Sequence, residues 1–208
     1  NGTEDVIKHL IENKADLDYK NTDGNKPIIL ASKRGIVNIF QYFLNKGLDI
    51  NQVNSEGETP LIVASRFGIP YFGDTEFVEY LIDNKACVND KTNKGETPII
   101  AAIQNIFSGL ETIKYLITKK AKINDSDYDG ETPLMKAIKW KKREIVEYLI
   151  TIKADVNRKN NKGQTVLTQL NSISSRGRFE TDIIKLLKKY KAKTSSELEK
   201  IEQNKLQK

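Results

Sequence analysis

The chain has 208 residues, 38% hydrophobic and 30% charged, with a formal net charge of +6. That length can bury a substantial core, but the low apolar share suits a thin, elongated protein better than a compact globule. No apolar run reaches the roughly 18 residues of a membrane-spanning helix, and the single Cys87 excludes an intrachain disulfide.

The basic excess is local. Residues 176–208 hold 10 Lys/Arg and 5 Asp/Glu, while residues 1–175 hold 24 and 23. The body is nearly neutral, so the overall charge is weak evidence for nucleic-acid binding.

In chain order, residues 3–14 read as one amphipathic helix. A loose motif follows at Gly24-Asn25-Lys26-Pro27, then three strict copies at Gly57-Glu58-Thr59-Pro60, Gly95-Glu96-Thr97-Pro98 and Gly130-Glu131-Thr132-Pro133. Gly163-Gln164-Thr165-Val166 is a last, looser copy, and the glycines are spaced by 33, 38, 35 and 33 residues. A second signature falls between them, as Leu48-Asp49-Ile50-Asn51, Ala86-Cys87-Val88-Asn89, Ala121-Lys122-Ile123-Asn124 and Ala154-Asp155-Val156-Asn157.

Each residue type has a reason. Polar residues such as Asn54-Ser55-Glu56 and Tyr128-Asp129 favour a tight turn, and the glycine can take positive φ. Thr caps a helix, and Pro at its first position loses no bonded N–H. Ala31, Ala64, Ala102 and Ala137 let neighbouring first helices approach closely. A second helix follows with apolar residues at helical spacing, such as Ile145, Val146, Leu149 and Ile150. At the C-terminal end, a helix is expected over 182–193. Ser196-x-x-Glu199 is a possible capping box for a final polar helix over about 196–206.

A turn and two antiparallel helices repeating every 33 residues or so resembles the ankyrin repeat. The resemblance rests on Thr59-Pro60-Leu61-Ile62-Val63-Ala64 and Thr132-Pro133-Leu134-Met135-Lys136-Ala137. The family's histidine is absent, with Ile29, Ile62, Ile100, Met135 and Thr168 at its position. The expected fold is an all-α repeat, an ankyrin-repeat solenoid of helix-turn-helix units joined by β-turn or hairpin loops, with a C-terminal capping helix. The expected domain covers 1–193: a partial repeat 1–20, then repeats about 21–53, 54–91, 92–126, 127–159 and 160–193. A polar helix or tail would occupy 194–208. The chain is thus expected to begin mid-repeat, and the sequence alone leaves open whether further repeats precede Asn1.

The resemblance implies binding on a concave palm formed by the first helices and the turns. The positions it leaves exposed are Lys33 and Arg34, Arg66 and Phe67, Gln104 and Asn105, Lys139 and Trp140, with Asn25, Glu58, Glu96, Glu131 and Gln164 after the turn glycines. The longer copies place their excess between the two helices, near 69–74, 106–109 and 172–177. One partner-binding ridge would therefore comprise Lys33, Arg34, Arg66, Phe67, Tyr71, Phe72, Phe107, Lys139 and Trp140. The opposing readings are that the charges pair with one another, that Trp140 packs on a neighbouring repeat, and that Tyr71, Phe72 and Phe107 fold inward.

Other chemistry has little support. His9 is the sole histidine, so a zinc cluster of His and Cys is excluded, and no phosphate-binding G-x-x-x-x-G-K-[ST] loop exists. The expected molecule is a non-catalytic, monomeric scaffold that binds another protein. No cofactor, metal, small-molecule substrate or membrane span is expected. One alternative is weak nucleic-acid or acidic-surface binding through Arg176, Arg178, Lys185, Lys188, Lys189, Lys191 and Lys193. The resemblance allows a second, a secreted effector of a host-associated organism using the same surface. The lone cysteine favours the cytoplasm, while the absence of an initiator Met leaves export open.

Overall fold

The computed structural model describes residues 2–68, 75–106, 109–173 and 177–206. Among them lie twelve helices and no strand. The chain forms two compact units, residues 1–122 and 123–208. The first holds α1 (Gly2–Glu12), α2 (Pro27–Arg34), α3 (Val37–Asn45), α4 (Pro60–Phe67), α5 (Glu76–Asp83), α6 (Pro98–Ile103) and α7 (Leu110–Thr118). The second holds α8 (Pro133–Lys139), α9 (Arg143–Thr151), α10 (Val166–Asn171), α11 (Arg178–Lys189) and α12 (Ser195–Leu206).

The motif residues act as expected. Thr59, Thr97, Thr132 and Thr165 cap α4, α6, α8 and α10, each hydroxyl accepting the N–H three residues on at 3.2–3.4 Å. Lys26 provides no such cap and instead pairs with Asp18 at 2.8 Å. In the first unit α4 packs between α2 and α6, while α3, α5 and α7 pack against α2, α4 and α6 respectively. Ala31, Ala64 and Ala102 are buried at these crossings, as is Ala137 in α8. The rings of Phe40 and Phe77 meet edge-on at 5.4 Å and tie α3 to α5. In the second unit α8 packs on α9 and α10, and α11 on α9 and α10.

The turns are built by side chains that the repeat pattern underrates. Asn54 Oδ1 accepts the N–H groups of Glu56 (3.0 Å) and Glu58 (2.9 Å). Asn21, Thr92, Asp127 and Asn160 serve their own turns in the same way. The next turn then docks on the glycine. A Cβ at Gly57 would lie 2.8 Å from the Asn93 backbone nitrogen, and one at Gly130 2.7 Å from that of Asn161. These close approaches permit Asn93 N–H to reach Glu56 O (2.8 Å) and Asn161 N–H to reach Asp129 O (3.0 Å).

The asparagine closing each repeat is a second staple. Asn51, Asn89, Asn124 and Asn157 accept N–H bonds of 2.8–3.0 Å from Cys87, Lys122, Asp155 and Lys193. Each of these bonds joins one repeat to the next within its unit. Repeat stability is a sum of unit and neighbour terms, so these polar staples add to the apolar burial at the junctions they cross.

Two C-terminal expectations need correction. The helix expected over 182–193 is Arg178–Lys189. Glu180 caps its start through Gly177 N–H (3.0 Å), and Lys191, at φ 62°, lies beyond its end. The capping box of α12 is Thr194-x-x-Glu197, two residues before the expected one. Ser195 is held by Thr168 at 2.8–2.9 Å, which fixes Thr194 outside the helix as its cap.

Candidate functional site

The first helices end at the positions where the sequence places a binding ridge. Phe67 and Trp140 are exposed to 38% and 51%, and Lys33, Arg34 and Lys139 are also exposed. Trp140 is the C-cap residue of α8. Its N–H bonds Lys136 O at 2.9 Å, which fixes the backbone while the indole remains half exposed. Lys33 Nζ lies 4.7 Å from the centroid of the Phe67 ring, a cation–π contact between the ends of α2 and α4. Tyr71, Phe72 and Phe107 lie outside the described residues.

Five other positions, Arg66, Glu58, Glu96, Glu131 and Asn105, differ from expectation. Arg66 is not a free cation at the rim. Its Nη2 sits 2.9 Å from Glu58 Oε1 and 3.0 Å from Glu96 Oε2, and its Nη1 donates to Gln104 Oε1. Gln104 Nε2 in turn donates to Glu96 Oε1 at 2.7 Å, and Asn54 Nδ2 bridges Glu58 Oε2 and Asn25 Oδ1, each at 2.9 Å. The expected row of exposed glutamates is thus the inner wall of a polar ladder. Glu131 is buried likewise, with Oε1 accepting from Asn160 (2.7 Å) and Gln169 (2.9 Å). Asn105 is 1% exposed and lies beneath Gly68, where a Cβ would fall 2.6 Å from its amide nitrogen.

Sequence reasoning missed the grooves that these ladders line. In the second unit, α8, α10 and α11 enclose an opening of about 330 Å³. Ile138, Leu170, Ile173 and Phe179 contribute apolar walls, with Lys139, Lys141 and Lys162 around them. In the first unit a groove of about 320 Å³ lies over Ile29, Val63 and Phe67, beside Asp23, Glu56 and Lys33. The repeat numbering was a partial signal: Lys33 and Lys139 stand nine residues after a turn glycine, and Phe67 and Ile173 ten.

Glu180, buried beside the second groove, pairs with Lys141 at 2.9 Å. That ammonium, then backbone N–H groups including Gly177, holds its carboxyl below the usual carboxylate range. Because the folded value lies below the unfolded one, the stabilisation is full above about pH 4.3 and fades as pH falls through the folded value. Glu180→Gln is therefore expected to melt below wild type at neutral pH. The gap should close on acidification, as read by circular dichroism melts across a pH series. A constant gap would show that the ion pair contributes nothing.

Candidate nucleophiles are isolated. His9 is exposed on α1 and hydrogen-bonds Asn13 at 3.2 Å. Cys87 is exposed, and partial desolvation, then the Asp90 and Asp49 carboxylates, raises its thiol pKa. Among the described residues no group of three or more His, Cys, Asp or Glu could hold a metal. Nor is any helix there long and apolar enough to cross a membrane.

A family profile described as ankyrin repeats (3 copies) matches residues 1–91 and 69–160. With the repeated turns, caps and paired helices, this places the chain in the ankyrin repeat family. Members of that family are generally protein–protein interaction modules. No curated protein matches the sequence significantly.

Proposed function

We propose that this chain is a non-catalytic interaction module that holds another protein at the exposed ends of its first helices. The observation that carries the reading is Trp140. It is a large ring, half exposed, on a backbone already fixed by the end of α8. Rigid exposed tryptophans lose little entropy on contact and recur as binding hot spots. Lys139 beside it extends the contact in the second unit, and Lys33, Arg34 and Phe67 form a separate exposed set in the first. Arg66 serves that set indirectly, by holding the ladder beneath it.

Nucleic-acid binding has weaker support. Around the basic C-terminal helix, Lys141 pairs with Glu180, and both Arg143 and Arg178 approach Asp182, at 2.9 and 3.9 Å. Arg178 belongs to the basic cap, and Glu180 and Asp182 interleave with its other cations, as in an ordinary amphipathic helix.

The test is crosslinked capture of partners from cell extract by the full chain, with mass-spectrometric identification and purified rebinding. Trp140→Ala is expected to weaken rebinding by at least about tenfold with an unchanged melting temperature. If Trp140→Ala and Lys139→Glu both retain every partner at wild-type level, the reading is wrong.

A further inference from the structure

We infer that the groove between α8, α10 and α11 takes an acidic linear peptide whose bulky apolar side chain enters between two flanking carboxylates. The inference rests on the proposed function and gives its partner a chemistry. The opening of about 330 Å³ is at the small end of ligand sites, suited to a side chain rather than a cofactor. Its apolar wall includes Ile138, Leu170 and Ile173.

Charge selects the peptide. Five ionisable side chains line the groove: Lys139, Lys141, Lys162, Glu131 and Glu180. Glu180 is matched by Lys141 at 2.9 Å. Glu131 is buried, and its Oε1 accepts from the Asn160 and Gln169 amides. Its charge offsets one lysine, so three lysines against two glutamates leave the lining net positive by one. Lys139 and Lys162 are exposed, and among the described residues neither ammonium has an ion-pair partner. The unmatched charge at the mouth is positive, and it stands beside an apolar wall. That combination favours a carboxylate next to a hydrophobic residue.

The first unit supplies an internal contrast. Its groove is built at matching repeat positions: Lys33 corresponds to Lys139, nine residues after a turn glycine, and Phe67 to Ile173, ten after. Directly before the turn glycine, however, Glu56 stands where the second unit has Lys162. Asp23 and Glu56 are exposed there, and Lys33 lies over the Phe67 ring. The same backbone device therefore carries opposite sign in the two units. An acidic peptide is attracted to one groove and repelled by the other, which makes the selection specific rather than a general affinity for repeat surfaces.

The experiment pans a displayed library of short random peptides against the full chain, then measures the enriched sequences by isothermal titration calorimetry. The expected winners place Asp or Glu beside Leu, Ile or Phe. The double variant Lys139→Glu/Lys162→Glu should lose at least about tenfold in affinity. Replacing the peptide's acids by Lys should restore binding to that variant. Glu56→Lys, in the other groove, should leave the affinity unchanged. Lys162→Gln provides a milder check should the double variant melt early.

Neutral or basic winners, or acidic ones indifferent to both lysine variants, overturn the inference. So does a library that yields no winner. In each of those cases loss of partner capture by Trp140→Ala would still uphold the proposed function, so the two can fail separately.

Discussion

Asp127→Ala is expected to destabilise the 123–208 unit by about 3–5 kcal/mol, because it strands a buried ammonium and unbuilds a turn together. Asp127 Oδ1 accepts the N–H groups of Asp129 (3.0 Å) and Glu131 (2.9 Å), while its Oδ2 lies 2.5 Å from Lys136 Nζ. The two side chains are only 4% and 11% exposed. The repeats themselves separate the two roles. Asn54 and Asn160 build the same turn without a charge. Their repeats place Val63 and Gln169 where this one has Lys136, six residues after the turn glycine.

Aspartate and lysine therefore belong together, and the substitutions should order accordingly. Asp127→Asn preserves the turn acceptor but leaves Lys136 unmatched, so it should cost less than Asp127→Ala. Adding Lys136→Met to Asp127→Asn should recover much of the loss, since an apolar residue replaces a stranded charge. Urea denaturation of the four proteins measures this. If Asn and Ala cost the same, or if the double variant is no better than Asp127→Asn, the coupling is absent.

The same comparison shows how far the sequence could be read. Gly, Thr-Pro and the apolar pairs mark α4, α6 and α8 because each acts within one repeat, through contacts three or four residues apart. Thr59 and Ile62, or Pro60 as the first helical residue, need no neighbour. The site depends on a different kind of contact. Arg66 meets Glu96 and Gln104, 30 and 38 residues away, across a junction whose spacing varies from copy to copy. Sequence shows two rows of opposite charge there. It does not show whether they face a partner or each other.

The misplaced cap has a related cause. Thr194-x-x-Glu197 and Ser196-x-x-Glu199 are equally good local signals. Thr168, far upstream, decides between them by holding Ser195. Helix ends of another type were also hidden. Lys85, Lys120 and Lys153 take φ of 66–73° after second helices, a conformation more readily marked by glycine, as at Gly47.

Arg66→Ala is expected to lower the stability of the 1–122 unit by about 2–4 kcal/mol, a larger effect than an exposed cation would have. The guanidinium joins two carboxylates from successive turns, and Glu58 and Glu96 are each only 13% exposed. Without it, two largely buried anions are left near each other, and Gln104 loses its donor. Arg66→Lys should recover only part of the loss, because one ammonium lacks the planar fork that serves two acids and an amide together. Lys33→Ala, by contrast, should shift the denaturation midpoint little. This matters for any test of binding: a partner lost with Arg66→Glu would report a disturbed ladder, whereas one lost with Lys33→Glu would report a contact. Equal midpoints for Arg66→Ala and wild type in urea would overturn this account, and would return Arg66 to the set of side chains free to meet a partner.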